Sequence, residues 1–199
     1  MQIGIFGSSF NPVHIGHLII SEQARYRLNL DKVLLVPTAN PYHKQVDLLD
    51  FSHRYNMAML ISEDNEHFDI SNVEENIEGN SYSFDVINEL KKIYTNDDFY
   101  FIIGSDSFNK IHTWYRYEDL LKMVNLVVFK RPGYDIDGKM FDRINSIYKN
   151  LIYYDDLQLE ISSTYIRKSI KNGYCPKYLL HESTIKYIKE HRLWQWRLN

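Results

Sequence analysis

The sequence predicts an α/β fold in which a parallel sheet is joined by crossover helices, and two observations carry that expectation. Short apolar runs at residues 3–6, Lys32–Pro37, 99–103 and Asn125–Phe129 are rich in Ile, Val, Leu and Phe. Each is too short for a stable helix, so they read as buried strands. Between them, residues 16–28, 52–63 and 83–94 place apolar side chains at helical spacing. Strand followed by helix, repeated, is the pattern of a parallel sheet. Residues 68–73 and Leu151–Tyr154 are further strand candidates, and two late helices are expected at Ser163–Lys171 and 183–191. The most loop-like interior stretch is 133–139. Residues 1–199 therefore read as one Rossmann-like domain: a doubly wound sheet with helices on both faces and a small helical part over 160–199.

With 44% hydrophobic and 25% charged residues, the 199-residue chain has ample apolar material for a packed core. Its net charge of -3 argues against a nucleic-acid binder relying on a broad basic face, while leaving room for a small phosphate pocket. The single cysteine, Cys175, cannot form an internal disulfide. Met1-Gln2-Ile3-Gly4 does not open a signal peptide, and no stretch approaches the roughly 20 apolar residues that span a bilayer. The expectation is a cytoplasmic protein with no nucleic-acid or membrane partner; a homo-oligomer is left open.

Ligands of such sheets bind beyond the carboxyl ends of the strands, so the residues following each strand are the informative ones. After the first strand comes Gly7-Ser8-Ser9-Phe10-Asn11-Pro12-Val13-His14-Ile15-Gly16-His17. Gly7 is expected to let the backbone turn sharply, and Ser8 and Ser9 can offer amide and hydroxyl donors to phosphate oxygens. His14 and His17 flank a helix start, where free N–H groups and the helix dipole already favour an anion. Two imidazoles there can stabilise charge developing in a transition state. With eight histidines in the chain, an H-x-x-H pair alone says little, and nothing nearby supplies the further ligands that zinc needs. The ordered combination of strand, glycine turn, proline, H-x-G-H and helix is what makes the signal specific.

In that combination the segment resembles the H-x-G-H nucleotidyltransferase superfamily, and G-S-S-F-N-P-V-H-I-G-H resembles bacterial nicotinate-mononucleotide adenylyltransferases. Ser8 stands where members usually have a second glycine, and its Cβ narrows the phosphate approach. Ser9 often corresponds to threonine and Asn11 to aspartate. A second element, Ile161-Ser162-Ser163-Thr164-Tyr165-Ile166-Arg167, carries an N-cap pattern and also resembles the family's later ATP-binding I-S-S-T-x-I-R segment. The resemblance implies that Ser163 and Arg167 bind ATP phosphates. Pro41-Tyr42-His43-Lys44 resembles the family's P-P-H-K loop, so Lys44 reads either as a solvated loop lysine or as a cation over the triphosphate.

Three further features bear on the acceptor. Asp106, in Gly104-Ser105-Asp106-Ser107, is placed to bind sugar hydroxyls or to cap the next helix. Trp114 is suited to stacking on a pyridine or to ordinary packing. Tyr82 and Ser83 open a helix whose N–H groups suit a carboxylate. Together they resemble the family's G-A-D-S…W and S-Y-T-x-D segments, with Ser83 for threonine, and that implies nicotinate mononucleotide as acceptor.

The resemblance thus implies an adenylyltransferase with ATP and nicotinate mononucleotide as substrates. His14, His17 and Arg167 would be catalytic, and Gly7, Ser8, Ser9, Lys44 and Ser163 would join them in binding ATP. Tyr82, Ser83, Asp106 and Trp114 would bind the acceptor. Mg²⁺ would arrive with ATP, since the sequence shows no dedicated carboxylate cage. The rivals are a sibling transferase with another acceptor and a nucleotide sensor without turnover. A class I aminoacyl-tRNA synthetase fragment shares an H-I-G-H run, but no K-M-S-K-S loop is present.

Overall fold

A computed structural model describes residues 1–39 and 47–195. Its sheet has six parallel strands in the order β3-β2-β1-β4-β5-β6. They are β1 (Gln2–Ser8), β2 (Lys32–Pro37), β3 (Phe68–Ile70), β4 (Asp98–Gly104), β5 (Asn125–Phe129) and β6 (Leu151–Tyr154). The order reverses direction at β1, which pairs with β2 on one side and β4 on the other. The carboxyl ends of β1 and β4 therefore border the crevice where such sheets take ligands.

Because both faces are covered, the inner stretches of the central strands are rich in buried apolar residues. On one face α1 (Ile15–Leu28), α2 (Phe51–Ser62), α7 (Ser163–Lys171) and α8 (Glu182–Glu190) pack through Ala24, Met57, Ile166 and Ile188 onto Val33, Leu35, Ile102 and Val127. On the other, α3 (Ser83–Ile93), α5 (Tyr117–Met123) and α6 (Gly138–Tyr148) pack through Ile87, Leu120 and Ile144 onto Ile3, Ile5, Phe101 and Leu126. A four-residue helix, α4 (Ser105–Phe108), follows β4 directly.

The expected strands all form. The one expected at 68–73 is shorter: it ends at Ile70, and Val73–Asn76 is a 3-10 turn. The expected loop at 133–139 also ends early, because the Asp137 carboxylate accepts from the Met140 N–H and starts α6 at Gly138. Helices α5 and α6 were not expected from the sequence.

Candidate active site

Past Ser8 the chain enters a turn in which Phe10 takes a left-handed φ of 45°. That conformation strains a bulky residue. Its ring is completely buried, edge-on to Phe6 and to His17 at centroid distances of 6.1 and 5.0 Å, and this packing holds the turn. Gly7 does not supply the turn as expected. It lies inside β1, and a Cβ there would come no closer than 3.9 Å, to the Val36 carbonyl.

Gly16 is the glycine that the local geometry demands. A Cβ on it would sit 3.1 Å from His14 Nδ1 and 3.5 Å from Ile161 Cβ, tighter than the first contact tolerates. His14 is thereby free to lie over the start of α1, and the chain entering α7 to approach it.

The two imidazoles stack with centroids 3.6 Å apart, and the His14 N–H donates to His17 Nδ1 at 3.1 Å. An accepting Nδ1 places the proton of the neutral His17 ring on Nε2, which makes that nitrogen a donor. Burial holds both rings neutral. His14 is pushed down to about 4, by burial first and then by the Arg131 cation; His17 is lowered well below the ordinary histidine value by burial, by His14 and by Arg131. His14 Nδ1 is buried without a hydrogen-bond partner among the described residues.

The late segment closes against this turn. Ser163 Oγ donates to the Pro12 carbonyl at 2.9 Å, across 151 residues of sequence. Arg167 Nη1 donates to the Asn11 carbonyl at 2.9 Å, and its buried Nε has no partner among the described residues. The Ser162 hydroxyl caps α7, accepting from the Tyr165 N–H. Ser163 therefore commits its hydroxyl proton to the loop and has its first-turn amide left for an anion.

Between these walls lies a cleft of about 600 Å³. Gly7, Ser8, Ser9, His14, His17, Ser163 and Arg167 all line it, and so does Asp106. Asp106 does not cap a helix; its carboxylate takes a 2.6 Å hydrogen bond from Arg131 Nη1, and Arg131 lines the cleft as well. Gly104 makes this possible, since a Cβ there would fall 2.5 Å from Asp106 Oδ1. Lys44, with His43, lies outside the described residues.

Tyr82, Ser83 and Trp114 do not line this cleft. Ser83 is the first residue of α3, and the Tyr82 ring lies 4.8 Å from that of Tyr115, next to Trp114. Trp114 is half-buried, edge-on to Phe101 at 6.3 Å. Tyr82 thus joins Tyr115 and Phe84 at the start of α3, Trp114 packs separately on Phe101, and Asp106 lies with the phosphate-side residues.

Arg54, Glu74 and Arg131 escaped the sequence reading, and Asn11 entered it only as a departure from the family's aspartate. Asn11, Arg54 and Glu74 are buried polar groups, and nothing in the sequence marks them as buried. Asn11 Nδ2 donates to the Asp47 carbonyl and its Oδ1 accepts from the Leu49 N–H, a double role that an aspartate could not play. Arg131 follows a strand end, which was the one available signal.

The neutral His14 has a consequence for stability. Its folded-state value lies below the unfolded one, so its contribution is complete above about pH 6.5 and is lost as pH falls towards 4. Glu74 runs oppositely: burial raises its carboxyl to about 7, so its contribution is present below about pH 4.5 and lost as pH rises through 7. The two partly cancel in the wild type, so the difference against His14→Asn isolates the imidazole. Between pH 7.5 and pH 4.5 that variant should gain about 2–3 kcal/mol relative to wild type in urea unfolding. A constant difference would mean that folding does not lower the His14 imidazole below its unfolded value.

A doubly wound sheet with two imidazoles, a guanidinium and first-turn amides around one cleft at its switch point defines a nucleotide-binding α/β protein. A family model described as cytidylyltransferase-like matches residues 5–169. The chain is 39% identical to a probable nicotinate-nucleotide adenylyltransferase of Citrifermentans bemidjiense, covering 98% of both chains. It is 41% identical to one of a Thermoanaerobacter species, covering 98% of this chain and 95% of that one. The nicotinic acid mononucleotide adenylyltransferase of Plasmodium falciparum, solved in complex with NaAD, shares the fold with a TM-score of 0.80 at 22% identity, over 100% of this chain and 99% of that one. The chain belongs to the cytidylyltransferase-like family, in its nicotinate-nucleotide adenylyltransferase branch.

Proposed function

We propose that the protein transfers AMP from ATP to nicotinate mononucleotide, giving nicotinate adenine dinucleotide and pyrophosphate in NAD biosynthesis. The observation that carries the reading is the bond from Arg167 to the Asn11 carbonyl, which closes His14, His17 and Arg167 around one cleft. Membership of the adenylyltransferase branch supports the choice of reaction.

The 5′-phosphate of the acceptor attacks the α-phosphorus of ATP in line; an O–P bond forms, and the bond from the α-phosphorus to the β-phosphate oxygen breaks. A phosphate monoester is already a nucleophile at neutral pH, so positioning and charge stabilisation carry the catalysis. Gly7, Ser8 and Ser9 line the approach to the phosphates. His14 and His17, held neutral, serve as hydrogen-bond donors to the reacting group and do not depend on protonation to do so. Ser163, through its amide, and Arg167 hold the leaving pyrophosphate, with Lys44 assisting. In this way the helical part at 160–199 contributes to the ATP site of a single domain.

Mg²⁺ enters with the substrate as MgATP. Among the described residues no group of three or more His, Cys, Asp or Glu could hold a metal, and the cleft carboxylate Asp106 is paired with Arg131. Phosphate oxygens and water would then serve as its ligands. No helix among the described residues is long and apolar enough to cross a membrane.

Tyr82, Ser83 and Trp114 form the acceptor side, with α3 amides facing the nicotinate carboxylate and the indole against the ring; Asp106 takes sugar hydroxyls. Trp114→Ala should raise the KM for nicotinate mononucleotide by about three- to tenfold, the usual worth of an aromatic stack, and leave the KM for ATP alone. If only ATP affinity suffers, this acceptor assignment is wrong. The function itself is tested by pyrophosphate release with MgATP and a panel of acceptors. Nicotinate mononucleotide should be the preferred one, and silence across the panel would favour a nucleotide sensor.

A further inference from the structure

Glu74 sits in the 3-10 turn between β3 and α3, only 5% exposed, and takes no part in the chemistry above. Its Oε2 accepts two hydrogen bonds, from the Ala39 N–H at 2.9 Å and from Ser81 Oγ at 2.6 Å. Ala39 follows the end of β2; Ser81 immediately precedes Tyr82 and the first turn of α3. On the other side of Ala39 stands Arg54, whose guanidinium donates to the carbonyls of Ala39, Thr38 and Ser9. Ser9 lines the phosphate cleft. A buried polar chain therefore runs from Ser9 through Arg54, the end of β2, Glu74 and Ser81 to the start of α3.

We propose that Glu74 is a positioning residue for the acceptor nucleotide, fixing the start of α3 relative to the phosphate cleft through Ala39 and Ser81. The inference rests on the acceptor-side reading given above. A carboxyl of this kind is costly to bury and would not be needed to hold a loop that the apolar packing of Phe84 and Val86 already anchors. What its two bonds add is a fixed distance between the end of β2 and the α3 amides. Capture of the acceptor depends on that distance, because the α3 amides must meet its carboxylate while its phosphate lies in the cleft.

The test is steady-state pyrophosphate release from MgATP and nicotinate mononucleotide by the full chain, with each KM measured separately. Glu74→Ala should raise the KM for nicotinate mononucleotide by about tenfold, the equivalent of one lost buried hydrogen bond or two. The KM for ATP should stay within about twofold, since Arg54 still holds the phosphate side. Glu74→Gln keeps an oxygen for both donors and should restore the acceptor KM to near wild type. Ser81→Ala removes the tie at its other end and should move the same KM in the same direction, which serves if Glu74→Ala does not fold. An unchanged acceptor KM in Ser81→Ala and in any Glu74→Ala that folds, a parallel rise in both KM values, or no rescue by glutamine would overturn the proposal. A wild type that releases no pyrophosphate with this acceptor would overturn the functional reading on which it stands.

Discussion

Replacing His17 by alanine is expected to cut turnover at least a hundredfold while the protein remains folded. The ring is held on three sides: His14 stacks on it at 3.6 Å, Phe10 meets it edge-on at 5.0 Å, and its Nδ1 accepts the His14 N–H. That hydrogen bond leaves Nε2–H as the donor, and burial keeps the ring neutral well below the ordinary histidine range. A donor fixed in advance loses no reorganisation energy as charge builds on the α-phosphate. Removing one such donor typically costs roughly 10²–10³ in rate. The effect should appear in kcat with the KM for ATP little changed, because the interaction strengthens in the transition state. His17 also fills space against Phe10, so alanine leaves a gap, and a urea midpoint measured alongside separates that contribution. Near-normal turnover in a folded variant would refute the role.

The phosphate corner was legible in the sequence because its parts are local. A buried strand, a helix start and two histidines within eleven residues state their own geometry, and the serine cap before Arg167 does the same. Buried strands show as continuous apolar runs, which is why β2 and β5 were read to the residue, and the half-buried edge strand β6 is apolar enough to be read the same way. Helices α5 and α6 were not, for two reasons. The apolar residues of α5 merge into the strand that follows, and α6 buries only Ile144 fully, behind a Pro-Gly-Asp-rich lead-in. The meeting of residues 11 and 12 with 163 and 167 is a tertiary fact, and only the family resemblance anticipated it. Glycine roles were misread for a related reason. Gly7 follows a strand and looks like a turn residue, yet the close approach is at Gly16, and also at Gly4, where a Cβ would sit 3.0 Å from Leu30 Cδ1. Neither constraint can be seen without the neighbour that causes it.

Arg54 is the strongest case of such a hidden residue, and its replacement should produce the largest loss of stability. In the sequence it is one cation in Phe51-Ser52-His53-Arg54-Tyr55, where a solvent-facing arginine would be ordinary. In the structure it is 1% exposed, with Nε donating to the Leu49 carbonyl at 2.9 Å and Nη1 to those of Ser9 and Thr38 at 2.9 and 2.6 Å. Burial pulls its pKa below the ordinary arginine value, opposed by Glu74 and Asp50, so desolvation is the price of placing it there. The carbonyls offset that cost because the planar guanidinium meets several at once. Arg54→Met matches the volume but strands these acceptors away from water and leaves Glu74 without its nearby cation. The unfolding free energy should fall by about 3–5 kcal/mol, as when one partner of a buried charged network is removed. Arg54→Lys keeps the charge yet presents no fork, so it should recover only part of the loss. Urea denaturation of the three proteins at pH 7.5 gives the order directly. A methionine variant within about 1 kcal/mol of wild type, the range of a single ordinary hydrogen bond, would show that the ends of β1 and β2 hold their positions without the guanidinium.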